Sequence, residues 1–344
     1  MTDTSYDLLK ERLKRETYTW LITGVAGFIG SNLLEALLKL NQKVVGLDNF
    51  STGHQANLDD VRRCVGEVLW SNFLMIGGDI CDLGTCVSAT QGVDYVLHHA
   101  AVGSVPHSIE NPIFTNKNNV DGFLNILVAS SDNKSKRLVY ASSSSVYGDG
   151  KESIKTEENT GEALSPYGVS KRVDELYASV FSTVYGAKTV GLRYFNVFGP
   201  RQDPDGNYAA VVPKWIKLLM LGEPTQINGD GKTTRDFCFV YNVIQANILA
   251  ALNETKVSSI YNIATGDVTT LAQLHQIITA DLAKKVAAMT FSTPTYKPPL
   301  TGDIRHSVAD INSVKANLGY LPSHSLVQGI SLTVDWFLKR HGIN

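Results

Sequence analysis

This chain of 344 residues is short of several features that would narrow its role at once. Its four cysteines, Cys64, Cys81, Cys86 and Cys238, show neither the CxxC spacing of zinc and redox sites nor the density of a disulfide framework. They are expected to be reduced, inert residues of core or loop. No stretch approaches the ~20 uninterrupted apolar residues of a membrane span, and the amino terminus lacks the apolar core of a signal peptide. The cytoplasm is the expected location. A net charge of only −2 excludes the electrostatic footprint of a nucleic-acid or anionic-membrane binder, so the partner is expected to be a small molecule. The length allows two domains, or one large domain with a lobe, since domains run ~50–250 residues.

What is present begins with Gly24, Gly27 and Gly30, a glycine-rich turn between an apolar run at 19–22 and a helical pattern of Leu33, Leu34, Leu37 and Leu38. That order is strand, turn, helix. A helix amino terminus carries unpaired N–H groups and about half a positive charge, which suits a pyrophosphate if nothing on the turn blocks its approach. Gly24 serves the tight turn, Gly27 the approach to phosphate and Gly30 the packing of helix on strand. The second strand ends in Asp48, close to the ~20 residues beyond the turn at which a carboxylate accepts from the adenosine ribose hydroxyls. The simpler role for Asp48 is to cap the next turn, but its position after strand, turn and helix favours the ribose. A carboxylate there repels a 2′-phosphate, so NAD is expected rather than NADP.

Apolar runs at 20–23, 43–48, 73–77, 95–98, 137–141 and 188–193 alternate with helical patterns, the signature of a parallel sheet covered on both faces. The fold class is therefore α/β, a doubly wound parallel sheet of Rossmann type with a smaller α/β substrate lobe. Ligands of such sheets bind outside the carboxyl ends of the strands. Asp79, after the third strand, either accepts from the adenine amino group or caps its own turn. His98 and His99, after the fourth, point to opposite faces with no third ligand at metal spacing, so no metal is expected; Ala100 and Ala101 permit close approach of a cofactor. Asn119 and Asn125 lie in an apolar helical pattern over 119–129 and bridge to neighbouring strands, with a cofactor-side contact the alternative for Asn119. Ahead of the first strand, Tyr6, Leu9 and Leu13 share a helical face and predict a short helix docked on the main body.

The chemistry-bearing residues follow the fifth strand. Tyr167 and Lys171, four residues apart, share one face of a helix with an apolar stripe of Val173, Leu176, Tyr177, Val180, Phe181 and Val184. A nearby ammonium stabilises a tyrosinate against its usual value of about 10, giving a general base for an alcohol. A serine on the loop at 142–145 can relay or bind the same hydroxyl.

With these residues in view, the stretch 19–338 resembles the extended short-chain dehydrogenase/reductases, and within them the UDP-hexose 4-epimerases. Gly24, Gly27 and Gly30 match the family's G-x-x-G-x-x-G, 48–53 its adenosine segment, and Tyr167 with Lys171 its Tyr-x-x-x-Lys pair; Ser143 falls at its catalytic serine or threonine. Further matches are the runs at 193–200, 229–231 with Arg235 and Asp236, and 302–305. The resemblance implies an NAD site formed by Gly24, Gly27, Phe28, Ile29, Asp48, Asn49, Ser51, Thr52, Gly53, Asp79, Ile80, Ala100, Ala101, Asn119, Tyr167, Lys171 and Tyr194. It implies a UDP-sugar site in which Asn196 and Arg235 hold the diphosphate with help from Arg305, Asp303 binds a ribose hydroxyl, and the segment Val211 to Trp215 receives the uracil. Gly103, Ser143, Ser144, Gln202, Ala210, Lys214 and Ser307 complete that site.

One departure within the family is informative. Its dehydratases carry acidic residues just before a Val-Tyr-Gly, where this chain has Ser144 and Ser145. Neither can supply the proton transfers that elimination of water needs. The resemblance then implies a 4-epimerase, with N-acetylated UDP-hexosamines as substrates because Ser307 stands where a bulky tyrosine restricts other members to unsubstituted hexoses. A UDP-uronate 4-epimerase is the rival enzyme, and a non-catalytic dinucleotide sensor the rival of another class. The expected organisation is a helical arm at 1–17, a nucleotide-binding domain at 18–196 plus 236–264, and a UDP-sugar lobe at 197–235 plus 265–344. The resemblance also implies a homodimer through a four-helix interface built from the helices near Asn119 and Tyr177.

Overall fold

The structure, a computed structural model, describes residues 3–205, 209–253, 258–286, 290–298 and 305–342. Its centre is a seven-stranded sheet of β1 (Thr19–Thr23), β2 (Lys43–Asp48), β3 (Phe73–Gly77), β4 (Tyr95–His98), β5 (Arg137–Ser143), β6 (Thr189–Tyr194) and β7 (Ser258–Ile263), all parallel. The order across it is β7-β6-β5-β4-β1-β2-β3. The chain therefore runs outward from β1 to β3 on one side, then returns to β4 on the other. Loops leaving β1 and β4 diverge there and open a crevice at the strand ends.

Both faces of the sheet are covered, which is why its strands read as nearly unbroken apolar runs. In β1, Trp20 and Ile22 join the core beneath α2 (Phe28–Lys39), α3 (Gln55–Trp70) and, further along the chain, the helix Val240–Leu252. Leu21 points the other way, to the core beneath α4 (Leu83–Thr90), α5 (Gly122–Asp132) and α6 (Pro166–Tyr185). A separate core joins Phe198, Trp215, Ile216, Phe239, Ile278 and Phe337. It gathers the helices Val211–Met220, Leu271–Lys285 and Leu326–Arg340. Beside it, a four-stranded sheet orders Thr269–Thr270, Thr234–Arg235, His306–Ala309 and Ile154–Lys155. The last of these lies inside the stretch assigned from sequence to the nucleotide-binding part, while Val314, Leu318 and Tyr320, assigned to the lobe, join the core under α2.

The amino-terminal helix α1 (Ser5–Leu13) is capped reciprocally by Thr4 and Asp7 and buries Leu13 completely. Gln42 fastens it, donating to the carbonyls of Leu13 at 2.7 Å and Glu16 at 3.0 Å. Two elements differ from the sequence reading. The helix expected over 119–129 begins with a π turn, Lys117–Asp121, which widens the helix and aims Asn118 and Asn119 in different directions. β5 runs on to Ser143 because Ser142 and Ser143 pair with Arg193 and Tyr194.

On α6 the outcome is reversed from an ordinary amphipathic helix. Its inner face is largely polar, burying Ser170, Lys171, Asp174 and Glu175, whereas Leu176, Val180 and Val184 are more than half exposed. The cause is a clamp of charge. Arg193 on β6 donates through Nε to Glu175 Oε1 at 2.7 Å and through Nη2 to Oε2 at 2.9 Å, and both side chains are 1 % exposed. Ser142 on β5 adds a bond of 2.7 Å to the same carboxylate, and Arg172 one of 2.8 Å. Burial opposes ionisation of Glu175, but these donors outweigh it and hold its carboxyl below the usual range.

Glu175→Gln leaves the Arg193 guanidinium buried without its counter-charge, and is expected to destabilise the fold by about 3–5 kcal/mol in urea unfolding. A loss below about 1 kcal/mol would mean that α6 is held elsewhere.

Candidate active site

The crevice at the strand ends is a cleft of about 450 Å³. Its floor is the β1–α2 turn. Gly24 has φ of +70°, and a Cβ there would stand 2.8 Å from the Ala100 amide nitrogen; a Cβ on Gly30 would meet the Gly24 carbonyl oxygen at 2.1 Å. Both positions exclude any side chain. Gly27 is the N-cap of α2 and supplies no side-chain bond, so the first N–H groups of that helix face the cleft uncapped.

Asp48 pins this turn while lining the cleft. Its Oδ2 accepts from Ala26 N at 2.8 Å and its Oδ1 from Phe50 N at 2.8 Å. The capping role and the ribose role are therefore compatible, because each carboxylate oxygen keeps a lone pair. Asn49 links onward, accepting from Ser51 N at 3.0 Å and donating to Asp79 at 3.2 Å. Asp79 also accepts from Cys81 N, which holds its carboxyl below the usual range.

At the opposite wall stand Ser143, Tyr167 and Lys171. Ser143 ends β5 and accepts from Ser145 N at 3.1 Å, so its hydroxyl proton stays free for the cleft. Ser165 caps α6 by accepting from Gly168 N at 3.1 Å, with Pro166 in the first turn, and this sets Tyr167 at the helix entrance. The Tyr167 amide donates to Ser108 Oγ at 3.1 Å. One turn on, Lys171 Nζ lies 3.1 Å from Asp174 Oδ2.

Of the residues expected to hold the cofactor, Gly24, Gly27, Phe28, Ile29, Asp48, Asn49, Ser51, Thr52, Gly53, Ile80, Ala100, Ala101, Tyr167, Lys171 and Tyr194 line this cleft. Tyr194 presents its ring, since its hydroxyl is engaged by His99 Nε2 at 2.9 Å and Asn247 Nδ2 at 2.8 Å. Asn119 does not reach the cleft surface. Its amide is consumed in bonds to the Val102 main chain at 2.8 and 3.2 Å and to Ser170 at 3.0 Å, and its neighbour Asn118 lines the cleft instead. Gly78, His99, Val102 and Ser142 also line it without having been assigned a role; the rule that residues just past each strand matter finds all four.

Of the residues expected to hold the sugar nucleotide, Gly103, Ser143 and Gln202 line the cleft, and Gln202 leaves its buried Oε1 without a partner. Ser144 is half-buried in the short turn behind Ser143. Asn196, at φ of +34°, stands between the lining residues Tyr194 and Val197 and donates to the Asp236 carbonyl at 2.9 Å, next to Arg235. Arg235 and Ser307 are register partners on parallel strands. Ala210 and Lys214 are exposed and Val211 half-buried at the start of their helix. Two of the expected residues stand outside the lining of the cleft. Trp215, at the end of the segment expected to receive the uracil, is 3 % exposed and packs edge-on against His275 in the lobe core. Arg305 forms an exposed pair with Asp230 at 2.8 Å and is not among the residues lining the cleft. Asp303 lies outside the described residues.

A doubly wound sheet with an uncapped glycine turn on one side of its crevice, and a serine and a Tyr-x-x-x-Lys pair on the other, defines a dinucleotide enzyme of the extended short-chain dehydrogenase/reductase class. The chain belongs to the NAD dependent epimerase/dehydratase family, whose sequence model matches residues 20–264. It is 34% identical over 322 residues to the UDP-glucose 4-epimerase of Mycolicibacterium smegmatis, covering 93% of this chain and 98% of that one. Among solved structures it is similar to the UDP-N-acetylglucosamine 4-epimerase of Methanobrevibacter ruminantium M1 in complex with UDP-N-acetylmuramic acid, at 35% identity and a TM-score of 0.86, covering 94% of this chain and 99% of that one. It is also similar to the Thermus thermophilus UDP-glucose 4-epimerase in complex with NAD, at 33% identity and a TM-score of 0.78, over 93% and 98% of the two chains. NAD is the cofactor of this family, and the steric emptiness at Gly24 and Gly30 together with the uncapped helix fits it. Among the described residues no helix is long and apolar enough to cross a membrane.

Tyr167→Phe deletes one hydroxyl and little volume. It is expected to lower turnover roughly 10²–10⁴-fold while leaving the NAD released on heat denaturation unchanged. A loss below about tenfold would point to another base.

Proposed function

We propose that this enzyme is a 4-epimerase of UDP-sugars acting on N-acetylated hexosamines, interconverting UDP-N-acetylglucosamine and UDP-N-acetylgalactosamine through a transient 4-keto sugar. The observation that carries the epimerase reading is the acid–base inventory of the cleft. Among the described residues lining it, the one carboxylate is Asp48, at the end of β2 and bonded to main-chain N–H groups. Among the described lining residues on the Ser143 side there are a phenol, an ammonium and hydroxyls but no carboxyl group for an elimination, and the His99 imidazole is bonded through Nε2 to the Tyr194 hydroxyl and kept neutral by burial. NAD, when bound, supplies reversible hydride acceptance at sugar carbon 4. Tyr167 takes the proton of the 4-hydroxyl and later returns it to the same oxygen. Lys171 stabilises the phenolate between those two events, and Ser143 holds the oxygen throughout. With no route to eliminate water, the 4-keto sugar would be reduced again by the same hydride that bound NAD had taken up; return of that hydride to the opposite sugar face, with the proton from Tyr167 going to the oxygen, would invert carbon 4.

The N-acetyl preference rests on Ser307. Its strand pairs in parallel with that of Arg235, and Ser307 itself is half-buried and small. The acetamido group at carbon 2 needs space whichever sugar face is presented, and a serine leaves that space with a hydroxyl able to bond the acetyl carbonyl. Likeness to a UDP-N-acetylglucosamine 4-epimerase supports the same choice.

The apolar stripe of α6 supports a homodimer. Val169, Leu176, Val180 and Val184 are exposed there, Ile109 and Phe114 are exposed on the neighbouring short helices, and Leu124 and Val128 of α5 are only half-buried. A second copy presenting the same face would cover them in a four-helix packing.

Proton NMR of UDP-N-acetylglucosamine incubated without added cofactor should show UDP-N-acetylgalactosamine forming. Ser307→Tyr should abolish that while sparing UDP-glucose, because an overfilled pocket rejects by sterics. Turnover of UDP-glucuronate in preference would replace the reading with its uronate rival; equal losses on both hexose types would remove the N-acetyl assignment. For the dimer, the double variant Leu176→Glu, Val180→Glu should be a monomer by light scattering where the wild type is a dimer. An unchanged mass would place the interface elsewhere.

A further inference from the structure

Behind Lys171 stands a charged group that the proton transfers outlined above do not use. Asp174 Oδ2 accepts from Lys171 Nζ at 3.1 Å, with the lysine side chain 2 % exposed and the aspartate 0 %. Its other oxygen, Oδ1, is buried with no partner. Residues 167, 171 and 174 fall on one side of α6, so phenol, ammonium and carboxylate follow each other from the cleft inward. The fold has no evident need of this pair. The Glu175–Arg193 clamp already holds the helix, and a buried ion pair with an unsatisfied oxygen adds little stability over an apolar contact.

We propose that Asp174 is a positioning residue for the Tyr167–Lys171 pair, fixing the ammonium and offsetting part of its charge so that the acidity of Tyr167 follows the protonation of Asp174. When Asp174 is ionised, the field of Lys171 at the phenol is partly cancelled and Tyr167 holds its proton more tightly. When Asp174 is protonated, the ammonium acts in full and Tyr167 releases its proton more readily. The charged and titratable groups around it are Lys171, Arg172 and Glu175 on α6, Tyr140 on β5, Arg193 on β6, and His98 on β4, whose ring feels Lys171. Glu175 is committed to Arg193, and burial holds Tyr140 in its phenol form and both His98 and His99, whose rings also feel Lys171, neutral. That leaves Asp174 and Tyr167 as the groups that exchange influence through Lys171. Burial raises the Asp174 carboxyl well above the usual carboxylate range despite the lysine beside it.

This inference rests on Tyr167 being the base. The test is a near-ultraviolet titration of the phenolate in the protein as isolated, comparing wild type and Asp174→Asn, each against its Tyr167→Phe counterpart, with pH profiles of turnover measured in parallel. Asp174→Asn keeps a hydrogen-bond acceptor for Lys171 and removes the charge. The Tyr167 titration, and with it the acid limb of the profile, should move to lower pH by on the order of one unit, and Asp174→Glu should restore both. Unmoved curves in a folded Asp174→Asn protein would overturn the proposal. If Asp174→Asn does not fold, Asp174→Val, which removes the acceptor together with the charge, is titrated in its place. If neither neutral variant folds while Asp174→Glu does, Asp174 is a structural counter-ion and the proposal fails. Undiminished turnover in Tyr167→Phe alone would instead sink the assignment of the base, on which the proposal depends.

Discussion

The buried pair between Glu175 on α6 and Arg193 on β6 is the constraint on which the reactive part of the molecule depends. An ion pair taken out of water repays its desolvation only when its geometry is good and its remaining valences are filled. Here Ser142 and Arg172 fill those of the carboxylate, and Tyr147 with the Glu157 carbonyl fill those of the guanidinium. The same network reaches Asn262 on β7 through the Tyr147 hydroxyl. Asn262 in turn donates to the carbonyls of Lys155 and Asp310, next to the small sheet that carries Arg235 and Ser307. One set of polar contacts thus ties the helix bearing Tyr167 and Lys171 to the central sheet and to the small sheet that carries Arg235 and Ser307.

A cost accompanies that arrangement. Because α6 turns its charges inward, its apolar residues are left on the outside. The helix cannot satisfy both faces within one chain, and the unpartnered stripe is the physical basis for the proposed dimer.

The cofactor side of the cleft depends on a different constraint, the absence of side chains. Gly24 and Gly30 are each in contact with main chain at distances that no Cβ tolerates. Around the rim, Phe50, Asn196 and Arg201 adopt positive φ although none is glycine. Each is held by specific bonds: Phe50 N by Asp48, Asn196 Nδ2 by the Asp236 carbonyl, and Arg201 by Glu35 and Asp60. Strain of this kind persists where the surroundings over-determine it, and it gathers at binding sites.

The strand pattern, the glycine turn, Asp48 and the Tyr167–Lys171 spacing were legible in the sequence because each is local. A strand run, a turn of fixed spacing or an i, i+4 pair is decided by residues within a few positions of one another. The residues whose places differ from expectation are those whose environment comes from distant chain. Trp215 was expected at the cleft and is buried against His275 from another helix; Arg305 is paired with Asp230, far away in sequence. Asn119 was displaced from the surface by a π turn that periodicity does not reveal, and its amide is taken by Val102 and Ser170. Likewise, the sequence shows a polar and an apolar side to α6, but only Arg193, arriving from β6, decides that the polar side faces in. The kind of elements, and the order of the chemistry along them, can be read from the chain without its fold. Which partner each long or charged side chain finds can not, because a flexible side chain takes the lowest-energy contact within reach, and what lies within reach is set only when the whole chain has folded.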